Sequence, residues 1–164
     1  MNHPERVIID TNVLIVANER SPQATDECVI AAVDFLEQVR NESVLLLDSE
    51  NEIYDEYRRY CSHSGQPGMG DAFFLHLHRS QANPEHVAIA EITPVEHSYA
   101  EVPATLSGFD KSDHKFIAVA KTCEDETPIV NCVDSDWSES AALLADEGVR
   151  VLELCPTCLK ACRS

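Results

Sequence analysis

Residues 7–15 read Val-Ile-Ile-Asp-Thr-Asn-Val-Leu-Ile, an apolar run that meets a carboxylate and two small polar side chains at Asp10, Thr11 and Asn12. A short and continuously apolar run is typical of a parallel strand that is buried on both faces. In open α/β sheets, ligand sites form outside the carboxyl ends of such strands. The stretch therefore predicts a first strand at residues 6–10 with a polar site directly after it.

Apolar runs and amphipathic helical segments alternate along the rest of the chain. Four more strands are predicted at residues 44–47, 87–92, 128–133 and 149–154, with helical segments between them. Residues 93–110 contain Pro94, Pro103 and Gly108 and are predicted to be irregular, whereas residues 138–147 are predicted to form one helix. The alternation predicts an α/β fold, a three-layer α/β/α sandwich with a mostly parallel five-stranded sheet.

The composition is that of a globular protein with an unusual charge. Of 164 residues, 44% are hydrophobic, which suits one domain over residues 1–164. No apolar segment is long enough to span a membrane, and the first residues lack signal-peptide features, so a cytoplasmic protein is expected. A net charge of −17, from 29 acidic and 12 basic residues, counts against a general nucleic-acid binder that contacts phosphates over a broad surface. The excess of acidic residues is compatible with solvation of the surface, with a salty cytoplasm, with a carboxylate cluster that a metal ion neutralises, or with a basic partner.

Seven cysteines in such a chain predict reduced thiols rather than a disulfide framework. Four lie singly within apparent core segments and are predicted to pack as small hydrophobic side chains: Cys28, Cys61, Cys123 and Cys132. The C-terminal tail, residues 155–164, contains the other three: Cys155, Cys158 and Cys162. Their spacing is compatible with zinc ligands, with a labile disulfide or with an inert tail.

Acidic residues recur where predicted strands end and where helices begin. Asp10 and Asp134 each follow an apolar strand, so both are expected at the carboxyl edge of the sheet. Glu56 lies on a mostly apolar helix stripe, and Asp113 begins a helix. Metal-assisted phosphodiester cleavage needs carboxylates that converge on ions roughly 4 Å apart. These residues are therefore candidate metal ligands.

Each carboxylate also has a purely structural interpretation. Asp10 and Asp134 are compatible with simple turn formation, and Glu56 with a solvated helix residue paired with an arginine. Asp113 is compatible with an acidic residue that the helix dipole favours in a first turn. Asp110 is better explained as a cap or loop residue than as a ligand. The order and spacing of the four candidates together favour the metal site.

Three segments resemble the PIN-domain family of metal-dependent ribonucleases: residues 7–14, residues 109–116 (Phe-Asp-Lys-Ser-Asp-His-Lys-Phe) and residues 129–137 (Ile-Val-Asn-Cys-Val-Asp-Ser-Asp-Trp). The resemblance covers nearly the whole chain. It implies Mg²⁺ or Mn²⁺ as cofactor, held by the catalytic residues Asp10, Glu56, Asp113 and Asp134, with Asp136 as a fifth ligand. The segment around Glu56 is the least specific, so Asp55 and Glu52 are alternatives there. The family often has Thr where this chain has Asn131 or Cys132.

The activity implied by the resemblance is phosphodiester hydrolysis by a metal-activated water, with single-stranded RNA as the preferred substrate. The candidate substrate-binding residues are Thr11, Asn12, Arg58, Arg59 and Lys111. The alternative is a catalytically silent module of the same fold that docks a basic protein partner, as one half of a toxin–antitoxin pair. A homodimer is a further expectation, and no membrane contact is expected.

Two aromatic residues within these segments have open interpretations. Trp137 is predicted to pack in the core or at its rim, with stacking on a base as the alternative. His114 is predicted to be a solvated neighbour of Asp113, with donation to substrate as the alternative. His76 and His78 are two residues apart and point to different sides of a helix, so they do not predict a chelate.

Overall fold

The computed structural model describes residues 4–156 and contains seven strands and seven α-helices within them. The strands are β1 (Arg6–Ile9), β2 (Val44–Asp48), β3 (Val87–Ala90), β4 (Pro94–Val95), β5 (Ser98–Tyr99), β6 (Ile129–Asn131) and β7 (Val151–Glu153). The helices are α1 (Thr11–Ala17), α2 (Asp26–Glu42), α3 (Glu52–Tyr60), α4 (Met69–Ser80), α5 (His114–Thr122), α6 (Ser135–Glu139) and α7 (Ala141–Asp146). Single turns of 3₁₀ helix lie at Ala104–Leu106 and Lys111–Asp113.

Five strands form one parallel sheet in the order β3-β2-β1-β6-β7, with β1 at its centre. Val7 is opposite Leu45 on one side, and Ile8 is opposite Ile129 on the other. All three apolar residues of β1 are completely buried, because helices cover both faces of the sheet. The predicted three-layer α/β/α architecture is confirmed, and all five sheet strands are parallel.

The helices form two layers around this sheet. On one side α1, α2 and α4 pack against one another, while α5 packs against β1, β2 and β6. Residues 114–120 of α5 are all buried, which explains why its sequence is apolar on almost every side. The chain leaves β1 toward β2 on one side, whereas β6 lies on the other, so the strand order reverses between β1 and β6. Such a reversal is the usual position of a ligand site in an α/β sheet.

Two segments differ from the sequence-based prediction. The region predicted to be irregular contains an antiparallel hairpin, in which β4 pairs with β5. The helix predicted at residues 138–147 is two short helices, because Ser140 ends α6 and begins α7. Both differences come from elements of only a few residues, in which hydrophobic periodicity has too little length to act as a signal.

The start of α4 is fixed by its close approach to α1. A Cβ atom added to Gly70 would lie 2.2 Å from the carbonyl oxygen of Leu14, and one added to Gly68 would lie 2.1 Å from Oδ1 of Asn18. Asp71, which is completely buried, accepts hydrogen bonds from the amide of Gly68 and from Nδ2 of Asn18. Glycine is therefore required for packing at both positions.

The prediction that Cys28 is a reduced core thiol is wrong, because Cys28 and Cys155 form a disulfide. The fold brings the end of β7 to the first turn of α2 across a sequence separation of 127 residues, which no local spacing reveals. The free cysteines agree with the prediction: Cys61 and Cys132 are buried and Cys123 is half-buried. Cys158 and Cys162 lie outside the described residues. Disulfides are rare in the cytosol, so the cytoplasmic location stays a prediction that this bond does not support.

None of the helices described within residues 4–156 is both long and apolar enough to cross a membrane. The single-domain prediction for residues 1–164 stays a prediction, and most of the predicted tail, residues 157–164, lies outside the described part of the chain.

Candidate metal centre

Three aspartates from three separate parts of the chain meet at the carboxyl edge of the sheet. Asp10 follows β1 and caps α1, Asp134 follows β6 and caps α6, and Asp113 ends a 3₁₀ turn and begins α5. One carboxylate oxygen from each lies within 4.8 Å of the other two. The three residues predicted from strand ends and a helix start are thus brought together at the point where the strand order reverses.

Both carboxylate oxygens of Asp10 are held by the protein. Oδ1 accepts a hydrogen bond of 3.0 Å from the amide of Asn12, and Oδ2 accepts one of 2.7 Å from Nε1 of Trp137. Burial raises the pKa of Asp10 from 3.8 to about 6, although these two donors oppose the rise. The orientation of this carboxylate is therefore fixed before any ligand binds.

Of the three aspartates, Asp113 has the fewest partners that offset the charge of its carboxylate. It is 7% exposed, and its carboxylate accepts no hydrogen bond from the described residues. Burial, followed by repulsion from Asp10 and Asp134, raises its pKa from 3.8 to about 8. The pKa of Asp134 is also raised, mainly by burial. The three aspartates therefore resist carrying three negative charges together, and ionisation of Asp113 at neutral pH calls for a compensating cation.

This donor set fits a hard divalent cation. Mg²⁺ and Mn²⁺ prefer carboxylate oxygens, and a divalent charge relieves the repulsion that raises the pKa of Asp113. Neither of the two ion pairs within residues 4–156 includes Asp10, Asp113 or Asp134, so no basic side chain in this part of the chain provides this compensation. The same three residues form the one group of metal-ligating side chains found in residues 4–156.

Glu56 lies outside this group of three. Its carboxylate accepts hydrogen bonds from the hydroxyl of Thr11 and, at 3.0 Å, from Nζ of Lys115. Lys115 is itself buried and also donates to the carbonyl of Ser112. The structure therefore places Glu56 beside the cluster, through neighbours of Asp10 and Asp113, with its charge already paired.

The remaining acidic candidates have local roles. Asp136 is exposed, and its amide donates to Oδ1 of Asp134. Asp55 forms an ion pair with Arg58, whereas Glu52 is exposed at the start of α3. Asp110 accepts from the amide and hydroxyl of Ser112, which confirms its interpretation as a cap. Asp136 as a fifth ligand stays a prediction.

An amide network holds the two strand ends together. Nδ2 of Asn12 donates to Oδ1 of Asn131, and Oδ1 of Asn12 accepts from the amides of Cys132 and Val133. Asn131 in turn donates to the carbonyl of Asp134. This network sets the distance between Asp10, which follows β1, and Asp134, which follows β6.

The predicted substrate-binding residues differ in their burial and in their hydrogen-bond or ion-pair partners. Thr11 is buried and donates to Glu56, and the side chain of Asn12 bonds within the network described above. Arg58 is paired with Asp55, whereas Arg59 and Lys111 are exposed. Their contact with substrate stays a prediction.

Three side chains have site contacts that the sequence did not reveal. Trp137 is completely buried, which confirms the core prediction and makes base stacking wrong, but its hydrogen bond to Asp10 was not predicted. The ion pair of Lys115 with Glu56 was also missed. His114 is completely buried between Ser98 and the carbonyl of Phe109, so its prediction as a solvated neighbour is wrong. The Trp137–Asp10 and Lys115–Glu56 contacts join distant segments and have no local sequence signal, whereas the contact of His114 with Phe109 spans only five residues.

Fold and site together define an α/β/α protein with a three-aspartate cluster that could bind a metal ion. Comparison with protein-family models, with curated proteins and with solved structures found no match to this chain.

Proposed function

We propose that this protein is a Mg²⁺- or Mn²⁺-dependent PIN-like nuclease that hydrolyses phosphodiester bonds in single-stranded RNA. The observation that carries the proposal is the convergence of Asp10, Asp113 and Asp134 within 4.8 Å at the reversal of strand order. The resemblance of residues 7–14, 109–116 and 129–137 to PIN domains supports it, because these segments contain the three aspartates.

Each part of the site has a distinct task in this proposal. Asp10, Asp113 and Asp134 hold the ion, and Trp137 keeps the Asp10 carboxylate in one orientation. A bound divalent ion would lower the pKa of a coordinated water and neutralise charge that develops on the phosphate. The Glu56 carboxylate lies beside the cluster and is paired with Lys115, and in this proposal it accepts a hydrogen bond from a substrate-side group.

The charge of the chain favours a single strand as substrate. Binding a duplex requires a wide basic surface, and a net charge of −17 leaves little room for one. A single strand bends into a recessed acidic site and needs only a few cationic and aromatic contacts.

The test compares hydrolysis of labelled single-stranded RNA, duplex RNA and single-stranded DNA with and without Mn²⁺. We expect metal-dependent cleavage of the single-stranded RNA that Asp10→Asn and Asp113→Asn each abolish. The matched control is Asp34→Asn, an identical change at an exposed position of α2. Cleavage that persists in both site variants, or that does not require a divalent ion, would refute the proposal.

The second candidate is a silent module of this fold that docks a basic protein partner, and the net charge of −17 favours it. It predicts a stable complex that survives Asp10→Asn and weakens with salt, together with no hydrolysis by the purified protein. Saturable Mn²⁺ binding that disappears in Asp10→Asn, accompanied by RNA cleavage, would exclude it.

A further inference from the structure

An open groove lies where the ends of α1 and α3 meet, one side of it basic. Its volume is about 420 Å³. We refer to it as the α1–α3 groove, and its lining residues are Ile15, Arg20, Arg59, Tyr60, Cys61 and Ser62.

The charge of this groove is opposite to that of the chain as a whole. Two of the twelve basic residues line it, and no acidic residue does. Four other grooves in the described part of the chain each include at least one Asp or Glu. Neither Arg20 nor Arg59 has a carboxylate partner among residues 4–156, so both guanidinium groups are available to an anion.

The groove lies on the same two helices that form the Thr11–Glu56 hydrogen bond beside the candidate metal centre. The hydroxyl of Thr11 donates to Glu56, and this bond joins α1 to α3 beside the aspartate cluster. Ile15 follows Thr11 by four residues in α1, and Tyr60 follows Glu56 by four residues in α3. Residues four apart lie on the same helix face, about 5–6 Å apart. The groove therefore begins about one helical turn beyond Glu56.

The lining groups match a nucleotide. Arginine binds phosphate oxygens through two parallel hydrogen bonds, and a tyrosine ring stacks on any base. Tyr60 is 49% exposed, and Nη1 of Arg20 lies 3.5 Å from its backbone carbonyl oxygen, which holds the guanidinium at the end of α3. Burial raises the pKa of Cys61 to about 12, so its thiol adds no negative charge to the groove.

We infer that the α1–α3 groove binds the nucleotide flanking the cleaved bond of a single-stranded RNA, with Arg20 and Arg59 on its phosphate and Tyr60 on its base. The identity of the strand as substrate rests on the proposed function, whereas the groove itself rests on its charge, its exposed aromatic ring and its position.

Binding is measured by the fluorescence anisotropy of a short labelled oligoribonucleotide of mixed sequence, with Ca²⁺ replacing the catalytic ion. We expect Arg20→Gln/Arg59→Gln to weaken binding about tenfold and to reduce the slope of log affinity against log salt by about 0.7, since the two arginines share one phosphate and each single-strand phosphate contact contributes about 0.7. Tyr60→Ala should weaken binding, and Tyr60→Phe should retain it because the ring is kept.

The matched control is Arg40→Gln/Arg150→Gln, which removes the same charge at the opposite edge of the sheet, where α2 ends and β7 begins. It should leave affinity within about twofold of the wild type because it removes no phosphate contact. Equal losses of RNA affinity in the two double variants would overturn the proposed role of the groove, because they would show a general effect of charge.

A second substrate separates the groove from the proposed chemistry. Bis(para-nitrophenyl) phosphate has a phosphodiester but no flanking nucleotide, so Arg20→Gln and Tyr60→Ala should hydrolyse it at the wild-type rate while cleaving RNA more slowly. If the wild type hydrolyses neither substrate but its RNA binding depends on Arg20 and Arg59, the proposed function fails and the groove stands. If hydrolysis occurs and the groove variants bind RNA normally, the groove fails and the function stands. If the wild type does not bind RNA, both fail.

Discussion

Replacing Asp113 by Asn should remove most of the loss of stability that the metal-free protein shows as pH rises from about 6 to about 8. The pKa of Asp113 is raised from 3.8 to about 8, so the folded state holds a proton that the unfolded state has released. Stability therefore falls as pH rises across this window, at about 1.4 kcal/mol per pH unit for one proton. Integrated up to the folded pKa, the wild type should lose roughly 2 to 3 kcal/mol between pH 6 and 8. Asp10, with a pKa of about 6, contributes mainly below this window.

The assay is urea unfolding followed by far-ultraviolet circular dichroism, in chelator-treated buffers from about pH 5 to 8. Subtracting the Asp113→Asn curve from the wild-type curve cancels His76, whose pKa is lowered by burial and whose contribution has the opposite sign. Adding Mn²⁺ at about pH 8 should stabilise the wild type by about 2.7 kcal/mol at a hundred times its dissociation constant, and should leave Asp113→Asn unchanged. The exposed Asp34→Asn variant should follow the wild type throughout. Parallel wild-type and Asp113→Asn curves between pH 6 and 8 would refute the reasoning.

Three further predictions test separate features. Trp137→Phe keeps an aromatic ring in the core but removes the donor to Asp10, so calorimetric titration should show Mn²⁺ affinity reduced by roughly tenfold or more; unchanged affinity would contradict this role. Gly70→Ala should lower the free energy of unfolding by roughly 1–3 kcal/mol despite the helix propensity of alanine, since its Cβ would lie 2.2 Å from a carbonyl oxygen. The control Gly108→Ala, whose Cβ would have no atom within 4 Å, should change that free energy by less than about 0.5 kcal/mol. Equal effects of the two substitutions would disprove the packing argument. Reducing the disulfide removes a cross-link across 127 residues and should lower stability by about 5 kcal/mol, and coincident urea curves with and without reductant would count against it.

The sheet was predictable because its strands are buried on both faces. A run such as Val-Ile-Ile has no polar residue to place at a surface, and turn residues bound each run, so five strands and their alternation with helices were identified. Parallel strands place their carboxyl ends on one edge, which is why Asp10 and Asp134 were correctly expected together. Asp113 joined them because its helix packs on the strands that carry the other two.

The details that the sequence did not reveal are contacts between distant segments. The carboxylate of Glu56 was expected among the metal ligands, but it is paired with Lys115, which is 59 residues away in the sequence. The orientation of Asp10 depends on Trp137, at a separation of 127 residues. Neither pair shares a helix or a strand, so periodicity and capping rules, which act over a few residues, give no information about them.

Trp137 is the only tryptophan in the chain, and its indole donates directly to a carboxylate of the metal centre. Its emission therefore arises from one buried position, and that position senses the charge on Asp10. Protonation of Asp10 or arrival of a cation changes the electric field along the indole, so the emission wavelength and intensity should change with occupancy of the site. The protein thus carries its own optical probe, with which occupancy of the aspartate cluster can be tested without attaching a label.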